Sequence, residues 1–119
     1  MKRVLVVEDN KANMHLFRFL LEKHGFEVIE AWNGAEGVES AIREKPDLVL
    51  MDIQLPDING LEVMKRIRAS EADGNIPIIA LTSYAMVGDR EKLLTAGFNS
   101  YMAKPIDVKT FIVEIEKYS

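Results

Sequence analysis

The segment LVLMD, residues 48–52, sets four apolar residues in succession and ends in an aspartate. A short, continuous apolar run of this kind is typical of a strand that is buried on both faces, as in a parallel sheet. Three other apolar runs also end at polar residues, and these are VLVV before Glu8 and Asp9, IPIIAL before Thr82, and SYMA before Lys104. If the runs are parallel strands, the acids, the hydroxyl and the ammonium meet at one edge of the sheet.

Helical patterns alternate with the strand-like runs along the chain. The predicted strands are Arg3–Val7, Glu27–Ala31, Leu48–Met51, Ile76–Leu81 and Ser100–Ala103. Apolar residues recur at helical spacing in four further segments, whose bounds are marked by Gly25, by Asn33 and Pro46, by the turn at 56–60 and by Asp107. One more helix is predicted near Asp89–Ala96, where Gly97 ends it. Strict alternation predicts an α/β fold, a doubly wound parallel sheet of five strands with five helices on its two faces.

Individual helices differ in how clearly their ends and their buried faces are marked. Asn33 and Asp107 stand where an N-cap is expected, directly before the second and the fifth helical segments. The segment near Asp89–Ala96 contains only Leu93 and Leu94 as strongly apolar residues. We therefore expect the fourth helix to be weakly anchored to the core.

Length and composition favour a single compact domain. The chain has 119 residues, of which 48% are hydrophobic and 29% are charged, which is ordinary for a globular protein. We expect one domain over residues 1–119, with no separate output domain. No apolar run approaches the roughly 20 residues of a membrane span. The charged start MKRVLVVEDN is unlike a signal peptide, so we expect a cytoplasmic protein that does not contact membranes.

Charge and cysteine content exclude several kinds of function. The net charge of −4 comes from 19 acids and 15 bases, and the bases are scattered along the chain. Direct binding to nucleic acid is therefore not expected. The chain contains no cysteine, which excludes disulfides, thiolate nucleophiles and zinc–thiolate sites. Other side chains must carry any chemistry.

The polar residues at the strand ends form a set suited to phosphate chemistry. Taken singly, Asp52 would be interpreted as a turn residue, Thr82 as a strand residue or helix cap, and Lys104 as a solvated lysine. Together with Glu8 and Asp9 they place three carboxylates at one edge, where mutual repulsion favours a bound cation. Mg²⁺ is the natural candidate, because it binds oxygen ligands and accepts one or two carboxylates with waters and a phosphate. A hydroxyl and an ammonium can both bind phosphoryl oxygens.

Four segments give the chain a specific resemblance to a known family, the receiver domains of two-component response regulators. They are VLVVEDN, LVLMDIQLPDINGLEV, IPIIALTSYA and YMAKPI, which stand in the family's order and at its spacing across the whole chain. The resemblance implies a flavodoxin-like receiver fold with strand order 2-1-3-4-5. Within the family, MDIQLPDINGLEV and TSYAM look similar to stand-alone DivK-type receivers and to receivers attached to hybrid histidine kinases.

The resemblance also implies a role for each acid. Asp52 would accept a phosphoryl group from a histidine kinase or a phosphotransfer protein. Asp9 and Asp52 would bind Mg²⁺ directly, the backbone carbonyl of Gln54 would be a further ligand, and Glu8 would act mainly through water. Mn²⁺ is the alternative cation. Such a protein is a phosphoacceptor that assists its own phosphorylation and dephosphorylation, and is not an enzyme with a separate substrate.

A second group of residues resembles the family's conformational switch. Thr82 and Lys104 would contact the phosphoryl oxygens, and Tyr101 would turn inward as Thr82 moves. The Lys104–Pro105 bond is similar to the family's cis peptide. The face built from the fourth helix, the fifth strand and the fifth helix would then bind a downstream protein.

Three other kinds of protein would fit part of this set of residues. A Mg²⁺-dependent phosphohydrolase would use similar ligands, but Gln54 stands where such an enzyme has a second acid, and the chain has no cap insertion to enclose a substrate. A constitutive interaction module that is never phosphorylated would not need the complete set of acids, hydroxyl and lysine. The chain also resembles the receiver fragment of a hybrid histidine kinase.

Overall fold

A computed structural model of the chain describes residues 2–70, 75–83 and 89–118, in which strands and helices alternate strictly. The strands are β1 Arg3–Val7, β2 Glu27–Ala31, β3 Leu48–Asp52, β4 Ile78–Thr82 and β5 Ser100–Ala103. The helices are α1 Lys11–Lys23, α2 Gly34–Glu44, α3 Gly60–Ser70, α4 Asp89–Ala96 and α5 Val108–Lys117. Tyr84 and Ala85, at the end of IPIIALTSYA, lie outside the described ranges. None of the helices in those ranges has the length and apolar character that crossing a membrane requires.

All neighbouring strands of the sheet run parallel, in the order β2-β1-β3-β4-β5. This arrangement confirms the predicted fold class and the strand order that the resemblance implied. The chain places β2 on one side of β1 and then crosses over to place β3, β4 and β5 on the other side. Where the order reverses, the connections leave in opposite directions and open a crevice beyond the carboxyl ends of β1 and β3. Glu8 directly follows β1, and Asp52 ends β3, at this crevice.

Helices cover both faces of the sheet and bury alternate strand residues. Val6 of β1 belongs to the apolar cluster formed with α1 and α5, whereas its neighbour Val7 belongs to the cluster formed with α2 and α3. On the first face, the rings of Phe17 in α1 and Phe111 in α5 stack with their centroids 5.5 Å apart. The core therefore consists of two apolar layers that hold the sheet rigidly between them.

The fourth helix contributes least to these layers. Among residues 90–96 no side chain is fully buried, and Leu93 and Leu94 are only half-buried. This burial agrees with the weak anchoring predicted from the few apolar residues of the segment. The helix packs mainly against β5, the edge strand of the sheet.

The fourth strand begins at Ile78, two residues later than the predicted Ile76. Pro77 explains the difference, because proline has no N–H group to donate to a neighbouring strand. Its carbonyl still accepts a hydrogen bond from the Val49 N–H at 2.9 Å. The Ile78 N–H donates to the side-chain oxygen of Asn99 at 2.8 Å. The strand therefore starts at the first residue after the proline.

The carboxyl ends of two strands also differ from prediction by one residue. β3 includes Asp52, where the apolar pattern predicted an end at Met51, and β4 includes Thr82, where it predicted an end at Leu81. Both polar residues are buried. Asp52 and Thr82 are therefore held by the sheet itself and not by a loop that follows it.

The predicted N-caps of two helices are confirmed. The Asn33 side chain accepts a hydrogen bond from the Glu36 N–H at 2.9 Å, and the Asp107 side chain accepts one from the Thr110 N–H at 3.1 Å. Each bond satisfies one of the N–H groups that have no partner inside their helix. The two caps define where α2 and α5 begin.

Replacing Phe17 by alanine should lower the free energy of unfolding by about 3–5 kcal/mol, because the change removes a buried ring and leaves a cavity. Phe17 is 1% exposed and stacks on Phe111. Phe19 is the matched control, since it lies on the same helix and is 53% exposed; Phe19→Ala should change stability by about 0.5 kcal/mol or less. Urea unfolding of both variants is the measurement, and equal losses would contradict the two-layer core.

Candidate functional site

Three carboxylates meet at the crevice beyond β1 and β3. Glu8 and Asp9 follow β1, and Asp52 is the last residue of β3, which is paired directly with β1. One carboxylate oxygen from each of the three residues lies within 4.8 Å of the other two. The structure therefore brings together the three acids that the sequence pattern placed at one sheet edge. An all-oxygen donor set of this charge suits a hard divalent cation such as Mg²⁺.

The two adjacent acids have different surroundings. Glu8 is fully buried, whereas Asp9 is exposed. The backbone N–H of Asn10 donates to Glu8 Oε2 at 3.1 Å, which holds the buried carboxylate in place. Asp9 is therefore the acid that faces solvent, and Glu8 is the acid that is fixed inside the protein.

Lys104, which directly follows the edge strand β5, also reaches the cluster. Its Nζ donates to Glu8 Oε1 at 2.7 Å and to Asp52 Oδ2 at 3.0 Å, and its side chain is only 13% exposed. The Lys104 N–H donates to the Thr82 carbonyl at 2.8 Å, so the end of β4 helps to hold the lysine. One ammonium beside three carboxylates leaves an excess of negative charge, which a cation can neutralise.

Burial raises the pKa of Glu8 from its ordinary value of 4.5 to about 7, against the opposing effect of the hydrogen bond from Lys104. Burial also lowers the pKa of Lys104, but its hydrogen bonds to Glu8 and Asp52 outweigh this effect, so that the net change is upward. The lysine therefore stays charged, and near neutral pH the Glu8 carboxyl can still exchange a proton. A cation that binds here must compete with that proton.

The segment between β3 and α3 is tied to the end of β3. The Gln54 N–H donates to Asp52 Oδ1 at 3.0 Å, and the Gly60 N–H donates to the Ile53 carbonyl at 2.8 Å. A Cβ atom on Gly60 would lie 2.3 Å from the Asp52 carbonyl oxygen, so only glycine allows α3 to begin this close to the strand. Gln54, the expected carbonyl ligand, is therefore held next to Asp52.

Sequence reasoning treated Asp57 as part of a turn and missed its role. The carboxylate of Asp57 accepts hydrogen bonds from the N–H groups of Gly34 at 2.7 Å and of Ala35 at 2.9 Å. These bonds lower its pKa from 3.8 to about 2. The partners lie more than twenty residues earlier in the chain, and no local pattern identifies them. An acid in the turn after β3 and a helix that begins with glycine were the available signals.

The expected switch residues lie on neighbouring strands. Thr82 is 4% exposed at the end of β4, and Tyr101 of β5 is half-buried against the apolar cluster on the α2 and α3 face. Tyr101 is paired with Ala80 in the parallel register, and residues two apart in a strand share a face. Tyr101 and Thr82 are therefore on the same side of the sheet. The Lys104–Pro105 peptide bond, which follows β5, is cis.

Comparison with known proteins identifies related chains. Residues 4–116 match the model of the response regulator receiver domain family. The chain is 47% identical over 117 residues to the polar-differentiation response regulator DivK of Brucella anthropi, an alignment that covers 98% of this chain and 95% of that protein.

Two solved structures are similar along nearly the whole chain. One is the receiver domain of a sensor histidine kinase from Pseudomonas aeruginosa PAO1, with a magnesium ion coordinated in its active-site cleft; its TM-score is 0.89 at 38% identity, covering 98% of this chain and 96% of that one. The other is a CheY-like response regulator receiver domain protein from Methanospirillum hungatei JF-1, with a TM-score of 0.88 at 30% identity, covering 98% of this chain and 92% of that one.

In the metal-free protein, Glu8 should make the free energy of unfolding fall as the pH rises. Its carboxyl holds a proton more tightly in the folded protein, where the pKa is about 7, than in the unfolded chain, where it is 4.5. The stabilisation from the Glu8 proton is fully present below pH 4.5 and is lost as the pH rises through about 7. At about 1.4 kcal/mol for each unit between the two pKa values, the loss is at most about 3.5 kcal/mol.

The measurement is urea unfolding without divalent cations between about pH 5 and pH 8, with Glu8→Gln as the control that cannot titrate. The stability of the parent relative to the variant should decline over this range. A constant difference between the two proteins would contradict the raised pKa.

Proposed function

Because the chain belongs to the response regulator receiver family, a family of phosphoacceptors in two-component phosphorelays, we propose that Asp52 is the residue that receives the phosphoryl group. One observation carries this assignment: the buried Asp52 carboxylate lies 3.0 Å from the Lys104 ammonium and within 4.8 Å of two further carboxylates. An aspartate in this position has a cation site on one side and a fixed positive charge on the other. Both offset the charge that builds up when a phosphoryl group approaches.

Receiver domains bind Mg²⁺ at an acidic pocket, and the residues of this pocket fit the ion. We assign Asp9 and Asp52 as direct ligands, the Gln54 backbone carbonyl as a further ligand, and Glu8 as an acid that acts mainly through water. The exposure of Asp9, and the engagement of Glu8 by Lys104, support this division. Mn²⁺ can take the same place. When bound, the ion neutralises carboxylate and phosphoryl oxygens.

Receivers are phosphorylated by histidine kinases or phosphotransfer proteins, and the geometry supports a direct transfer. An Asp52 carboxylate oxygen attacks the phosphorus of a phosphohistidine, an O–P bond forms, the N–P bond breaks, and the imidazole leaves with the electron pair. Lys104 and the Thr82 hydroxyl bind the phosphoryl oxygens. The same residues then assist hydrolysis of the acyl phosphate, which restores the carboxylate and releases inorganic phosphate. The protein is therefore a phosphoacceptor that promotes its own modification.

The phosphoryl group controls a protein-binding face made of α4, β5 and α5. It adds a charge of about −1.5 to −2, taking phosphoserine as a guide. Thr82 moves toward it, and Tyr101 on the same side of the sheet turns inward. Moving a population from 1:99 to 99:1 requires about 5.5 kcal/mol, and several charge-assisted hydrogen bonds of about 1.5–3 kcal/mol each can supply it. The shallow burial of α4 supports movement at this face.

We also propose a domain organisation and a cellular location for the protein. Residues 1–119 form a single DivK-type receiver domain, a view supported by the family match over residues 4–116 and by the 95% coverage of the Brucella relative. Its output is binding to a downstream protein. The net charge of −4 and the scattered bases favour protein partners over nucleic acid or anionic membranes. The cytoplasm, where ATP-dependent kinases act, is the proposed location.

Incubation with acetyl phosphate and Mg²⁺ should add the mass of one phosphoryl group to the parent protein and none to Asp52→Asn, because the amide is a much weaker nucleophile. Intact-mass spectrometry is the measurement. Asp47→Asn is the control, since Asp47 lies at the opposite end of β3 and accepts a hydrogen bond from Arg3 at 2.8 Å. This variant should be labelled like the parent. Full labelling of Asp52→Asn at the parental rate would overturn the assignment.

Tyr101 should change rotamer between the apo form and a form with Mg²⁺ and fluoroberyllate, in which fluoroberyllate stands in for the phosphoryl group on Asp52. The reason is that Thr82 withdraws toward the fluoride atoms and frees space on the shared face. Crystal structures or NMR spectra of both forms are the measurement. Thr82→Val, which keeps the shape and removes the hydroxyl, should bind fluoroberyllate without the full Tyr101 shift. An unchanged Tyr101 in the parent would exclude this switching route.

A further inference from the structure

The carboxylate of Asp57 joins two parts of the molecule that are distant in sequence. Its two oxygens accept hydrogen bonds from the N–H groups of Gly34 and Ala35, at 2.7 and 2.9 Å, at the start of α2. Asp57 itself belongs to the segment that connects β3 to α3. A two-oxygen contact fixes both the distance and the direction of that segment relative to the helix.

The start of α2 depends on this contact. The first three N–H groups of the helix belong to Gly34, Ala35 and Glu36, and the last of these donates to the Asn33 cap at 2.9 Å. The first two donate to Asp57. The hydrogen bonds that complete the helix end are therefore divided between a residue of the helix's own cap and a residue of the β3–α3 segment.

Packing reinforces the same junction. A Cβ atom on Gly34 would lie 2.3 Å from Ile58 Cγ1 and 3.1 Å from Asp57 Oδ1, so the absence of a side chain lets the segment approach the helix this closely. On its other side, the segment is tied to β3 by the bond from the Gln54 N–H to Asp52. The backbone around Gln54 is therefore attached on one side to the end of β3 and on the other side to the start of α2.

We propose that Asp57 is a positioning residue for the cation site, holding the β3–α3 segment against α2 so that the Gln54 carbonyl is presented beside Asp52. The inference rests on the proposed function, since it assumes that Mg²⁺ binds at Asp9, Asp52 and Gln54. In this role Asp57 would contact neither the ion nor the phosphoryl group. Hydrogen bonds from the α2 backbone lower the pKa of Asp57 to about 2, and the contact therefore persists throughout the neutral pH range.

Such an arrangement couples the start of α2 to cation binding. If the contact with α2 favours the segment conformation that binds Mg²⁺, then Mg²⁺ must strengthen the contact with α2 by the same factor. Amide hydrogen exchange at Gly34 and Ala35 should accordingly become slower when Mg²⁺ is added. A purely structural cap would protect these amides equally with and without the ion.

The test titrates MgCl₂ into the parent protein and two variants, Asp57→Asn and Asp57→Ala, and follows amide NMR shifts. The Kd for Mg²⁺ should rise about tenfold in Asp57→Ala, the lower end of the effect usual for residues that support metal ligands. It should rise less in Asp57→Asn, whose single carbonyl oxygen can keep one of the two bonds. The Mg²⁺-dependent slowing of exchange at Gly34 and Ala35 should disappear in Asp57→Ala.

Asn33→Ala is the matched control, because it weakens the same helix end without touching the β3–α3 segment. It should lower thermal stability as Asp57→Ala does, while leaving the Kd for Mg²⁺ close to the parental value. An unchanged Kd in Asp57→Ala, or an equal rise in Asn33→Ala, would overturn the inference and leave the cation site standing. Failure of the parent itself to bind Mg²⁺ would instead overturn the proposed function.

Discussion

Two buried carboxylates share one ammonium at the edge of the sheet, and the rest of the architecture serves to keep them there. Lys104 lies 2.7 Å from Glu8 and 3.0 Å from Asp52, and neither acid is more than 2% exposed. Removing charges from water is expensive, and a buried pair that loses one partner leaves an uncompensated charge. The cluster therefore requires three strand ends in a fixed relationship. The parallel sheet, clamped between two apolar layers, provides this rigidity.

The acids of the cluster could be predicted from the sequence because strand-like apolar runs alternate regularly with helical segments. Apolar runs that end in polar residues predicted the parallel strands and the meeting of Glu8, Asp9 and Asp52 at one edge, and the strand order then followed from the family resemblance. The errors in strand bounds were small and had local causes. β4 begins later than predicted because Pro77 has no N–H group to donate. The predicted β3 ended before Asp52 because a carboxylate interrupts the apolar run, although the backbone of Asp52 continues the strand.

What the sequence could not show is which contacts join residues that are far apart in the chain. By residue type and position Glu8 and Asp9 are alike, and only the family resemblance assigned them different roles; the structure buries Glu8 against a lysine 96 residues away and leaves Asp9 facing solvent. That difference depends on which side of β1 the crevice opens, a property of the assembled sheet. Asp57 likewise gains its significance only when the β3–α3 segment meets the start of α2. The secondary-structure propensity of a local segment contains no information about either long-range contact.

The shallow seating of α4 has an evolutionary consequence. Because residues 90–96 bury no side chain completely, substitutions on this helix change the core little and have small effects on stability. Copies of the gene that arise by duplication can therefore differ on the surface of this helix while the acidic cluster at the carboxyl ends of the strands stays intact. Sequence differences can accumulate on this helix, whereas the strands β1, β3 and β4, which are buried almost throughout, tolerate few of them.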